Sequence, residues 1–264
     1  MSQVAGVAAL ALALVACGRI GFDLPGGGGG GGGGTGDGGG DSGGGGGGDS
    51  SIPGIPAGLI AWYPLDDDFA LVQSARDASG NGHTAGCTAC PSRAPGRSGG
   101  FSGGFGGAQF LLVDTSPAAF AFPDGYTIAL WVRASVQTGK IELLGRALGA
   151  SNVSFALDYT PMNGKVTHVV STGLTVSSAN RLTIDGWNFA AISWDGATVM
   201  LYLDTFRIAS SNSTVMLDAH PISIGATFDG IGTGTADFFT GAMADVMIFD
   251  HALTVPEVGQ LYMR

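Results

Sequence analysis

DGWNFAAISWDGATVMLYLD, running from Asp185 to Asp204, reads as two strands joined by a tight turn. Asp195-Gly196 sits between two apolar runs. An Asp-Gly pair in that position is a strong hairpin signal, because Gly tolerates the positive φ of a type I′ turn. Both faces of both runs are apolar. Trp187, Phe189 and Ala191 share one parity, and Ala190, Ile192 and Trp194 share the other. On the following run, Met200 and Tyr202 oppose Val199, Leu201 and Leu203. A strand that is apolar on both sides is covered on both sides, which places this hairpin in the middle of a sandwich.

Working outward, Gly58 to Leu65 (GLIAWYPL) reads as a first strand, with Ala108 to Val113 and Tyr126 to Arg133 as two more. Lys140 to Arg146, Asn152 to Tyr159 and Lys165 to Ser171 follow at regular spacing, and Asn163-Gly164 marks a second hairpin turn. Pro221 to Gly225 and Phe238 to Asp250 continue the series. Many short strands separated by turn signals predict an all-β antiparallel sandwich. Thr254 with Glu257 three residues on forms a capping box, so one short C-terminal helix is expected. Residues 52–264 suit a single domain of this class, large enough to bury a core without extra staples.

These stretches resemble the concanavalin A-like, laminin-G-like jelly-roll domains of secreted bacterial proteins. The resemblance rests on Leu59 to Asp66 (LIAWYPLD), on Asp77 to Gly82 (DASGNG) followed by Gly86, on Tyr126 to Arg133, on the Asp185 to Asp204 hairpin, and on Phe238 to Thr254. It covers Gly58 to Tyr262 and extends to pentraxins, which share the last strand, its Asp and the helix. It implies a jelly-roll fold. Two positions depart from the pattern: Thr205 stands where Gly is usual, and Ala244 stands where Asp is usual, with an acid beside it as Asp245.

Several constellations carry chemistry. Cys87 and Cys90 form a C-x-x-C whose first reading is a disulfide in an oxidising, exported compartment; free thiols, or a zinc site with His83, are the alternatives. Asp66, Asp68, Asp77 and Asn81 supply hard oxygen ligands of the kind Ca²⁺ takes, and the family resemblance adds to that reading. The competing account is that Asp77, before Ser-Gly-Asn-Gly, bonds its own turn. Trp131 and Arg133 share a strand parity and are candidates for a ligand surface, against a core role for the tryptophan. Catalysis is not expected. Retaining glycosidases need two carboxylates a few ångströms apart, whereas the only glutamates, Glu142 and Glu257, are far apart in sequence. His83, His168, His220 and His251 form no metal or triad motif.

The first fifth of the chain is of another kind. Val4 to Ala16 is a short apolar run, too short to span a bilayer as a helix. It ends in Leu14-Val15-Ala16-Cys17, which resembles the lipobox of bacterial lipoproteins. That resemblance implies a signal peptide over residues 1–16, a lipidated Cys17, and a protein anchored to the outer membrane or cell surface. Gly26 to Ser50 is Gly with scattered Asp and Ser. Such a chain is a disordered tether averaging about 25–30 Å end to end. Residues 17–51 are thus read as anchor and tether, and residues 52–264 as the domain.

The formal net charge is -10, and Lys140 and Lys165 are the only lysines. Phosphate neutralisation needs clustered cations, so no nucleic-acid partner is expected. The expected function is a non-catalytic binding module for carbohydrate or an extracellular protein. The alternatives are a structural or adhesive surface protein and, last, a glycosidase-like enzyme.

Overall fold

In a computed structural model the described residues are 52–264, except 117, 149–151, 171–172, 174, 205, 213 and 229–235. The signal, the lipidation site Cys17 and the Gly-rich tether lie outside the described residues. In chain order the strands are β1 (Leu59–Tyr63), β2 (Ser74–Ala75), β3 (Ala85–Gly86), β4 (Ser92–Pro95), β5 (Phe101–Gly106), β6 (Leu111–Val113), β7 (Tyr126–Ala134) and β8 (Ile141–Leu148). They continue as β9 (Asn152–Thr160), β10 (Lys165–Val170), β11 (Thr175–Arg181), β12 (Asn188–Trp194), β13 (Thr198–Leu203), β14 (Phe206–Asn212), β15 (Ile222–Ile224) and β16 (Thr240–Phe249). A one-turn helix, α1 (Phe69–Val72), follows β1, and α2 (Val255–Met263) closes the chain.

The strands form two antiparallel sheets. The first has the order β14-β13-β12-β7-β16-β5-β4, with β1 also on β16; the second has the order β11-β10-β9-β8-β15-β6-β3-β2. Hairpins such as β12–β13 and β8–β9 pair consecutive strands, while β7, β15 and β16 pair with strands distant in sequence, as in a jelly roll. The main core lies between the sheets. Ile128, Leu130, Ile192 and Leu201 from the first sheet meet Leu144, Phe155, Leu157 and Ile222 from the second.

The hairpin of β12 and β13 pairs Trp194 with Val199 and Ala190 with Leu203, and β12 lies against β7. Every residue of β12 is buried. One face meets the second sheet. The other is covered by α2 rather than by strands: Phe189, Ala191 and Tyr202 pack with Val258 and Leu261. The turn differs from the expected type I′. Gly196 has φ 89°, but Asp195 is not among the residues with positive φ. The Asp195 carboxylate instead accepts the N–H groups of Ala197 and Thr198 at 3.0 and 2.6 Å. A side-chain acceptor therefore closes the turn without a second left-handed residue.

The C-terminal helix starts as the capping box requires. The Glu257 carboxylate accepts both the N–H and the hydroxyl of Thr254 at 2.7 Å. Val258 and Leu261 face the sheet. Among the described residues no helix is long and apolar enough to cross a membrane.

Candidate functional site: a cleft where β16 changes partners

Over Thr240–Met243, β16 pairs with β5; over Val246–Phe249 it pairs with β1. Its ladder with β7 is also interrupted between Ala244 and Met247. At this break Asp245 takes a left-handed backbone, φ 49°. Few non-Gly residues adopt that conformation, although Asp is one of the more tolerant. The Asp245 N–H donates to the Pro64 carbonyl at 3.3 Å. A bulge of this kind re-aims a side chain out of the ladder.

The Asp245 side chain is held in place by Trp62, whose indole Nε1–H donates to Asp245 Oδ1 at 3.0 Å. Burial pushes the Asp245 carboxyl above the ordinary range, although the Trp62 bond and the charges of Arg264 and Arg97 pull the other way. Around it lies a cleft of about 500 Å³, walled by Trp62, Pro64, Asp66, Arg76, Arg97, Gly100 and Phe101, with Ala244 and Asp245 from the β16 break. Phe101 is 54% exposed. Asp66 is paired with Arg76 at 3.6 Å on the rim.

The wall bearing Arg97 comes from the β4–β5 hairpin. Its Gly96 N–H donates to the Gly100 carbonyl at 2.8 Å. A Cβ on Gly96 would lie 2.7 Å from the Phe101 carbonyl oxygen, so the turn closes this tightly only with glycine. The turn carries Arg97 over the Trp131 ring, 4.0 Å from its centroid. Two further arginines lie on aromatic rings nearby: Arg93 on Phe101 at 3.9 Å and Arg264 on Trp62 at 4.3 Å.

The residues singled out in the sequence fall as follows. Cys87 and Cys90 are bonded to each other. His83 is not a metal partner of theirs; its N–H donates to Asp77 and its ring sits edge-on to Phe120. The oxygen ligands of the proposed calcium set are not brought together as a cage. Asp77 Oδ1 accepts the N–H groups of Trp62 and Ser79, and Asp77 Oδ2 accepts that of His83. Burial pushes the Asp77 carboxyl up, but these bonds outweigh it and hold the group below its usual range. Asn81 spends its amide on the carbonyls of Leu59 and Ile60. Asp66 and Asp68 are exposed. Among the described residues no group of three or more His, Cys, Asp or Glu side chains is placed to hold a metal. The loop residues are engaged with one another and with β1 as a self-bonded turn.

Trp131 and Arg133 do share the outer face of β7, but Trp131 is only 6% exposed. Tyr262 stacks on it at 5.4 Å, and Arg97 covers it as well. Arg133 sits over Trp187 at 5.3 Å. Trp131 is thus the floor beneath Arg97 and offers no open face. Sequence reasoning passed over Arg97 and Phe101, which sit in a Gly-rich stretch that reads as a connector. Asp245 did leave a signal: a lone carboxylate in TGAMADVMIF, a strand otherwise free of charge.

Residues 105–259, more than half of the chain, match the model of a laminin-G-type family described as the concanavalin A-like lectin/glucanases superfamily. The chain belongs to this family. No curated protein matches the sequence. Solved structures with the same fold include the binding domain of Paraclostridial Mosquitocidal Protein 1, with 14% identity and TM-score 0.60 over 78% of this chain and 52% of that one. Domain 4 of AbnA, an extracellular arabinanase from Geobacillus stearothermophilus solved in complex with arabinotriose, gives 17% identity and TM-score 0.59 over 77% of this chain and 98% of that one. The Trypanosoma rangeli sialidase gives 14% identity and TM-score 0.59 over 78% of this chain and 32% of that one. The chain thus spans about half of the mosquitocidal binding domain and about a third of the sialidase, but nearly all of the AbnA domain. At these identities the likeness is one of fold.

Proposed function

We propose that the protein is a membrane-anchored lipoprotein whose laminin-G-like domain is a non-catalytic carbohydrate-binding module, with the Trp62–Asp245 cleft as its sugar site. The observation that carries this reading is Asp245 itself, held at a strained backbone position and oriented by an indole N–H beside an exposed phenyl ring. Sugars are recognised by such pairs: an aromatic surface for the C–H face and a fixed planar acceptor for hydroxyl groups. That the AbnA domain, of the same fold, was solved with arabinotriose supports the sugar over a protein partner.

The acids outside the cleft support the absence of catalysis. Glu142 and Asp158 face each other across β8 and β9, yet they are only 1% and 3% exposed. A glycosidic bond has no route to carboxylates so enclosed.

The test is binding of the full chain, in mild detergent, to an oligosaccharide array, with Gly100→Phe as the blocking variant. Gly100 lines the cleft, and a Cβ there meets nothing within 4 Å, so the fold has room for a bulky ring at the cleft wall. Wild-type protein is expected to bind a glycan, in EDTA as in Ca²⁺, and Gly100→Phe to lose that binding at an unchanged melting temperature. A blank array would overturn the sugar reading in favour of a surface-protein partner. Hydrolysis of a bound glycan would overturn the non-catalytic one.

A further inference from the structure

Arg97 is the unexplained group at the cleft. Among the described residues its guanidinium makes no hydrogen bond and no ion pair, and its Nε is buried without a partner. A buried donor left unsatisfied carries a desolvation penalty, so its retention calls for a reason. The carboxylate that feels its charge, Asp245, already accepts the Trp62 bond on one oxygen. The Arg97 guanidinium also lies over the Trp131 ring, its Cζ 4.0 Å from the centroid. A guanidinium carries five N–H donors in a fork that matches a planar oxyanion, and Arg97 spends none of them on a hydrogen bond to the described residues.

The surroundings carry the same sign. The chain has a net charge of -10. Yet Arg76 and Arg97 line this cleft, and Arg93 and Arg264 sit on its aromatic residues. Arg76 is shared between Asp66 and Asp67 at 3.6 and 3.8 Å, which leaves Arg93, Arg97 and Arg264 without an ion pair among the described residues, against the carboxylate of Asp245.

We infer that the cleft takes an acidic glycan, and that the Arg97 edge holds its carboxylate or sulfate group while Trp62, Phe101 and Asp245 engage the ring. This rests on the sugar-binding reading of the same cleft and adds the class of sugar. Arg97 acts as the specificity-determining residue. Its preorganised geometry removes an ordering cost that a solvated side chain would carry.

The experiment uses the full chain on an array of matched pairs: hexuronate oligosaccharides beside their methyl esters, and sulfated oligosaccharides beside their unsulfated parents. Acidic members are expected to bind roughly ten- to a hundred-fold more tightly than their neutral partners, the range of a charge-assisted contact. The advantage should shrink as salt is raised. Which pairs respond separates carboxylate from sulfate. Arg97→Gln removes the guanidinium and its charge and should erase the preference; Arg97→Lys keeps the charge without the fork and should restore only part of it. Equal binding of acidic and neutral members, blocked by Gly100→Phe and indifferent to Arg97→Gln, would overturn the acidic-glycan inference and leave the sugar site standing. A blank array would overturn both.

Discussion

Glu142 shows how one side chain can set the acid–base behaviour of a fold. It lies opposite Asp158 across β8 and β9, with Ser223 and Thr227 hydroxyls donating to its oxygens at 3.1 and 2.8 Å. Lys140 reaches Asp158 and Asp237 at 3.3 Å each, and its charge also bears on Glu142. Burial, joined by the Asp158 charge, pushes the Glu142 carboxyl up to about 7. Burial likewise pushes Asp158 up to about 6, even with Lys140 beside it. In the unfolded chain both would release their protons near pH 4. The folded state therefore binds more protons between those limits, and stability falls as pH rises through that window. The contribution is complete below about pH 4 and gone above about pH 7; for Glu142 it is on the order of 3 kcal/mol. The melting temperature is expected to drop between pH 5 and pH 8, and Glu142→Gln to flatten the drop. Calorimetric scans across that range decide it: parallel pH slopes for wild type and variant would show that Glu142 does not hold the proton.

At the scale of elements, α2 is what distinguishes the two faces of the first sheet. Its Val258 and Leu261 bury the outer side, and Tyr262 stacks on Trp131 at an interplanar angle of 27°. The Thr254–Glu257 cap fixes where this helix begins. Thr254→Ala should cost about 1 kcal/mol in urea-induced unfolding, the usual worth of such a cap. A midpoint unmoved by the change would mean that packing alone defines the helix start. The strands, the hairpin and this cap were legible because each depends on residues close in sequence: alternation, an Asp-Gly turn, a Thr and a Glu three apart. The cleft depends on β16 exchanging β5 for β1, partners more than 130 and 180 residues away along the chain. No local period encodes that exchange. Arg97 looks like a connector residue until the hairpin lays it on Trp131. In the acidic loop, spacing reveals the oxygens of Asp77 but not the three N–H groups that already occupy them.

At the scale of the whole molecule, the question is what the proposed lipid anchor would add to a cleft of this size. One oxyanion contact and one aromatic wall make a weak site, since small-ligand affinity is limited by the few atoms that can be engaged. Display on a surface changes that arithmetic. On the proposed lipoprotein reading, copies anchored at Cys17 would engage neighbouring units of one polysaccharide, and each later contact would form at a high effective concentration. On that reading the anchor would be part of the binding function and not only an address. Cells expressing the protein are expected to incorporate labelled fatty acid into it and to accumulate its unprocessed form under globomycin. Cys17→Ser should abolish the label and release the protein from the membrane. The released protein should bind an immobilised polysaccharide roughly a hundred-fold less tightly than vesicles carrying the lipidated form, while single oligosaccharides should bind both alike, because avidity needs many sites and the cleft itself is unchanged. An unlabelled wild-type protein would remove the anchor. Equal polysaccharide binding by the two forms would mean that each cleft works alone.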